Sequence, residues 1–234
     1  MGDETLEDGF LKVMLDEDRL PGLDELIARK NAAHVLGRRV AFHCVTHLEL
    51  LFALEALRGS DAPKGDRIEH AALVTREQIK AMHDLGVLVV TQPGFIMAKG
   101  DQYLRDVPFE DHQNLYRYKS LLDEGITVLS SSDGPYGPLS PFEVVDAAES
   151  RETLGGSLVA PEEMVSREEA LSGYLKRPDQ LMVSRSSLRV GDPADLCLLK
   201  GSFSDRTRSL KDCIVTRTFV GGELHYSASS SIIS

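Results

Sequence analysis

Five apolar runs rich in β-forming residues recur along the chain with helix-period stretches between them, and this alternation restricts the fold more than any other feature. The runs are LKVML (11–15), RVAFHCV (39–45), RIEHAAL (67–73), GVLVVTQ (86–92) and ITVLSSS (126–132). Continuous apolar strands separated by helices indicate a parallel sheet covered on both faces. Two α/β architectures satisfy the pattern, a (β/α) barrel and an open doubly wound sheet. No G-x-G-x-x-G or G-x-x-x-x-G-K-[ST] turn follows any run, which removes the usual nucleotide-binding argument for the open sheet.

The helices announce themselves by their ends. Apolar positions at Leu23, Leu26, Ile27 and Val35 repeat at helical spacing and stop at Gly37, a left-handed cap. Thr46 with Glu49, Thr75 with Gln78 and Ser166 with Glu169 fit the capping box, in which hydroxyl and carboxylate or amide satisfy the free amides of a first turn. A fourth inter-strand helix is expected over Asn114 to Glu124, ending at Gly125. GFIMAKGDQYLRDV (94–107) reads as a polar, solvated loop, and its Lys99 and Tyr103 are left outside the site. Beyond about residue 186 the texture changes to SLRVGDPADLCLLKG and CIVTRTFVGGELHY, where Gly221-Gly222 between alternating runs predicts a hairpin. Three segments follow: a barrel portion over 9–186, a small β segment over 187–226 and a flexible tail over 227–234.

Charge narrows the partners. With 26 basic and 37 acidic side chains the formal charge is -11, which repels phosphate backbones and anionic lipid, so neither nucleic acid nor membrane is an expected partner. Cys44, Cys197 and Cys213 are odd in number and widely spaced, which speaks for a reducing compartment over a disulfide framework. MGDETLEDGF is acidic and shows no signal or span, so the expectation is cytoplasmic.

Polar residues gather at the strand ends: His43, His70, Gln92 and Asp133. The C-terminal ends of parallel strands are where a barrel places its chemistry. Two imidazoles and a carboxylate on separate strands are what a hydrolytic metal site needs, with His as lone-pair donor and Asp beside an activated water. Each residue also has an ordinary reading. His43 and His70 could be core histidines bonded to carbonyls, and Asp133 in SSSDGPYGP is standard turn chemistry. Arg67 and Glu69 are expected to pair with charges on neighbouring elements. Lys12 is the only cation in LKVML. A neutral amine there can take up carbon dioxide as a carbamate able to bridge metals; the alternative is a stem lying along the sheet with its ammonium in water.

The segments LKVMLDE, VAFHCVTHLELLFALEAL, GDRIEHAALVTREQIKAMHDLGVLVVTQPGF, GITVLSSSDGPYGPLSPFEVVDAA and VGDPADLCLL resemble, in order, the later two-thirds of the amidohydrolase superfamily. The resemblance is strongest to amidohydrolase family 3, with its D-aminoacylase-like and N-substituted formamide deformylase-like enzymes, and runs from about Gly9 to Tyr226. It implies a partial TIM-type barrel of about five of eight βα units, followed by part of the family's β-sandwich. It further implies that Lys12 matches the lysine often carboxylated, that His43 and His70 are metal ligands after the fifth and sixth strands, and that Asp133 is the catalytic aspartate after the eighth, counted with Lys12, His43 and His70 among the metal residues. The cofactor so implied is a divalent metal, zinc, as one or two ions in a complete member. The implied reaction is hydrolysis of a small-molecule amide-type substrate at a non-peptide C–N bond. The family also carries an H-x-H on its first barrel strand, and none occurs here. The chain therefore reads as a C-terminal fragment, with weak or no stoichiometric metal and association with another copy expected. The alternative is a non-catalytic remnant serving association or ligand binding.

Overall fold

The computed structural model describes residues 9–58, 65–175, 189–201, 203 and 209–228. All five apolar runs form strands: β1 (Leu11–Met14), β2 (Val40–Cys44), β3 (Arg67–His70), β4 (Leu88–Thr91) and β5 (Val128–Ser130). They pair in parallel in the order β1-β2-β3-β4-β5. A doubly wound sheet reverses direction at a switch point, whereas here every strand adds beside its predecessor, as in a barrel wall. The order decides between the two architectures the pattern allowed. β1 and β5 are the edges, so the sheet is an open barrel segment among the described residues.

Helices cover one face. α1 (Leu23–Val35), α2 (His47–Leu57) and α3 (Arg76–Leu85) follow the first three strands. The capping boxes at α2 and α3 form as expected, with Glu49 N donating to Thr46 Oγ1 at 3.2 Å and Gln78 N to Thr75 Oγ1 at 3.3 Å. Gly37 and Gly86 take the left-handed conformation that stops α1 and α3. Leu26, Leu50, Leu54, Ile79 and Met82 on these helices bury against Val13, Val40, Phe42, Ile68 and Val89 of the strands. Period-2 alternation leaves Lys12, Met14, Ala41, His43, Arg67 and Glu69 on the opposite, barrel-interior face.

The segment expected to be a loop is α4 (Gly94–Asp106). Its charged residues mask a helical period: Phe95 and Ile96 bury with Tyr116 and Val159, while Tyr103, Leu104 and Val107 pack beside them. Gly100 lets the helix approach Thr153, whose Cγ2 would stand 2.5 Å from an added Cβ. α5 (Tyr118–Asp123) begins four residues later than expected, because Phe109–Asn114 forms a separate 3-10 helix. α6 (Pro141–Ser150) and α7 (Arg167–Leu175) complete the helical layer, α7 behind the Ser166–Glu169 capping pair.

The predicted hairpin is β7 (Ile214–Val220) and β8 (Glu223–Ser227), turning through Gly221 and Gly222 at φ 58° and 86°. Positive φ at both central residues is the type I′ requirement, and the backbone twist of that turn matches the twist of the strands. β6 (Leu196–Lys200) completes a three-stranded antiparallel sheet. Leu210, fully buried in the main core, anchors the approach to β7, and its amide donates to Asp146 at 2.9 Å. The 186/187 boundary lies outside the described residues, as does the tail beyond residue 228; Ser227 belongs to β8.

Candidate metal centre at the strand ends

β2 carries His43 on the interior face, half-buried, with a buried Nδ1 that has no hydrogen-bond partner among the described residues. Burial lowers its pKa, and Lys12 adds to the effect against the opposing pull of Glu49. The imidazole is therefore neutral near pH 7, with an unused nitrogen.

His70 ends β3. Strand alternation would send its ring toward the helices with Ile68, beside its register neighbour Cys44. Instead His70 and Ala71 adopt φ of 70° and 48°, and the His70 ring packs edge-on against His43 at 4.4 Å between centroids. Two successive non-glycine residues at positive φ are costly, and such strain clusters where a site requires it. The ring is 5% exposed and its Nδ1 lies 2.8 Å from Gln92 Oε1. The Gln92 amide nitrogen faces the Val90 carbonyl at 3.4 Å, which assigns the amide orientation. An amide oxygen only accepts, so Nδ1 carries the proton and Nε2 holds the lone pair. Burial, followed by the neighbouring His43, brings the His70 pKa down to about 4. Thr91 Oγ1 donates to the His70 carbonyl at 2.8 Å and fixes the main chain.

Asp133 sits past β5, also in the left-handed region at φ 49°, with its amide donating to Ser131 Oγ at 3.2 Å. Its carboxylate acts electrostatically on both imidazoles and on the phenol of Tyr116. Lys12 projects from β1 opposite Ala41 and is exposed, not buried among apolar neighbours. The edge position explains this, since Met14 beside it is 62% exposed as well. Lys12 too influences both imidazoles.

The structure thus brings His43 and His70 into contact and leaves Asp133 and Lys12 at electrostatic range. Among the described residues, no three His, Cys, Asp or Glu side chains gather closely enough to hold an ion. The pair itself suits a divalent cation: two neutral imidazoles, one with an orphaned buried nitrogen and one with its tautomer set by an amide. Cys44 faces the core, where burial pushes its thiol well up, and it is no ligand. Arg67 and Glu69 pair with each other at 2.6 Å, with no ion pair to another element among the described residues, and Arg67 lies over the Phe10 ring at 4.2 Å. Neighbouring same-face positions on one strand were enough for that pairing.

Two supporting residues were underread in the sequence. Gln92 was noted at a strand end but given no role. Glu49, read only as a cap, accepts from Val45 N at 2.5 Å, Thr46 N at 3.1 Å and Glu17 N at 3.1 Å, joining the exits of β1 and β2 directly after His43. The seven histidines otherwise divide by local duty: His34 pairs with Asp66 at 2.9 Å, and His47 contacts Gln78 and Asp111.

A model of the Amidohydrolase family, its family-3 branch, matches residues 6–226. The chain belongs to the amidohydrolase family. An N-substituted formamide deformylase of Arthrobacter pascens is 32% identical over 208 residues, covering 85% of this chain and 38% of that enzyme. A metal-dependent hydrolase of Pyrococcus furiosus superposes with a TM-score of 0.57 at 34% identity, over 67% of this chain and 32% of its own. Its counterpart from Pyrococcus horikoshii gives 0.59 at 28% identity, over 70% and 35%. This amidohydrolase chain therefore spans well under half the length of these relatives. Among its described residues, no helix is long and apolar enough to cross a membrane.

Proposed function

We propose that the chain carries part of the active site of a metal-dependent amidohydrolase that cleaves non-peptide C–N bonds. The observation that carries this reading is the edge-on contact of His43 and His70, reached through a strained backbone, with an orphaned nitrogen on the first ring. His43 and His70 would hold the ion, zinc being the choice for imidazole ligands, with a carboxylated Lys12 as a further ligand. A bound divalent cation supplies Lewis acidity, which lowers the pKa of water and polarises an amide carbonyl. Gln92 keeps the His70 proton on Nδ1 and so keeps Nε2 free. Asp133 takes a proton from the attacking water and returns it to the departing amine nitrogen. The relative's name points to N-substituted formamides as the first small-molecule substrates to try.

A second reading, a non-catalytic member acting in ligand binding or in association with another copy in the cytoplasm, is favoured because three ligating side chains do not converge among the described residues. Zinc content after dialysis, together with hydrolysis of N-substituted formamides by the chain and by His70→Ala and Asp133→Asn, separates the two. Zinc that is bound, however weakly, and lost in His70→Ala, with turnover lost in both variants, supports the first. No uptake and no turnover at saturating zinc leaves the second.

A further inference from the structure

Arg151 is 0% exposed at the end of α6, in the left-handed conformation at φ 55°. Its guanidinium is solvated by backbone: Nε donates to the Val159 carbonyl at 2.9 Å, and its two terminal nitrogens donate to Tyr116 and Leu115 carbonyls, each at 2.8 Å. Among the described residues its hydrogen bonds go to carbonyls, with Glu163 and Glu162 acting on it only electrostatically; burying a cation so is expensive, and hydrophobic packing would serve stability as well. The two carbonyls are consecutive. In an extended chain they would point to opposite sides, and Tyr116 at φ 47° is what lets both face one guanidinium.

The same stretch holds the exit of β3. Tyr116 N donates to the Ala72 carbonyl at 2.8 Å, Val74 N to the Asn114 carbonyl at 3.1 Å, and Leu73 and Leu115 form an antiparallel bridge. Residues 114–116 are thus a strap over 72–74, beginning two residues after His70. Thr91 and Gln92 fix the carbonyl and ring of His70. Ala71 N donates to the Glu69 carbonyl at 3.0 Å and Leu73 N to the Val45 carbonyl at 3.2 Å, and the strap takes hold of Ala72 between them.

We propose that Arg151 is a positioning residue for the metal centre: it fixes the 114–116 strap, and the strap holds His70 and Ala71 in the left-handed conformation that brings the His70 imidazole to His43. Its bearing on metal rests on the reading of His70 as a ligand; its bearing on the imidazole does not.

The test uses the full chain labelled with 15N-histidine, without metal, in long-range 1H–15N spectra of wild type and Arg151→Gln. Wild-type His70 shows one tautomer, protonated at Nδ1. In Arg151→Gln its two nitrogen resonances move toward each other as tautomers mix, while His34, bonded to Asp66 before β3, keeps its shifts. Titration with Co2+, followed by its visible absorption, shows affinity about tenfold weaker or more in the variant, the usual loss when an outer support of a ligand is removed. If Arg151→Gln does not fold, Arg151→Lys, which keeps the charge but cannot span three carbonyls, is judged by the same criteria. A folded variant whose His70 resonances match wild type overturns the proposal. A wild-type chain that takes up no Co2+ sinks the metal reading alone, and the tautomer comparison still decides the role of Arg151.

Discussion

Acidification tests the buried imidazole of His70. In the unfolded chain this group titrates near its ordinary 6.5, and in the folded protein at about 4. Between those values the unfolded state holds a proton that the folded state lacks, so stability falls as pH falls. The contribution is fully present above about pH 6.5 and disappears toward pH 4, at roughly 1.4 kcal/mol per pH unit in the middle of the window. Integration gives a loss of about 2 kcal/mol at pH 5 and about 3 kcal/mol at pH 4, a large share of the roughly 5–15 kcal/mol typical of a domain. The assay is urea denaturation of the metal-free chain from pH 7.5 to 4, in parallel with His70→Asn, which removes the titrating group and tolerates the left-handed backbone. Carboxylates titrate in both proteins, so the difference between the curves isolates His70. Parallel curves, with no convergence as pH drops from 6.5 to 4, would refute a buried neutral imidazole at this strand end.

Glu49→Ala removes the acceptor for three backbone amides and should cost about 3 kcal/mol by the worth of charge-assisted bonds; a loss below about 1 kcal/mol in urea midpoints would contradict its linking role. Gly173→Ala places a methyl against Ser130 Oγ and 2.6 Å from Tyr118 Oη. Overpacking of about 2–3 kcal/mol outweighs the helix gain of roughly 1 kcal/mol, so thermal midpoint should fall, and an unchanged midpoint would show that α7 is not tight on β5. Asp133→Asn should leave stability within about 0.5 kcal/mol, whereas Asp133→Val should lose about 1–2 kcal/mol to backbone strain at φ 49°. In any chain with turnover, Asp133→Asn should lower kcat about 100-fold or more; equal activity would remove Asp133 from proton transfer.

Local signals carried most of what the sequence revealed. The apolar runs and the Thr46–Glu49, Thr75–Gln78 and Ser166–Glu169 pairs involve residues within one turn of each other, and each appears where expected. α4 was hidden because Gly94, Gly100 and four charged residues give it the look of a loop, while its buried stripe depends on Tyr116 and Val159 from distant segments. The strand-end placement of His43 and His70 was legible from where the runs stop. The turn of the His70 ring toward His43 was not, because alternation predicts the opposite and only tertiary contacts override it. For Lys12 the apolar run left a neutral amine and a solvated ammonium both open; that it lies exposed on an edge strand is a property of the whole sheet.

The carboxylate of Glu49 grips amide groups that follow two different strands. The segments 15–17 and 45–49, from each strand exit into the element that follows, accordingly behave as one mechanical cassette. Anyone grafting either segment from a relative should transplant both, since a length change in the first would be felt one strand away, at the shoulder of His43.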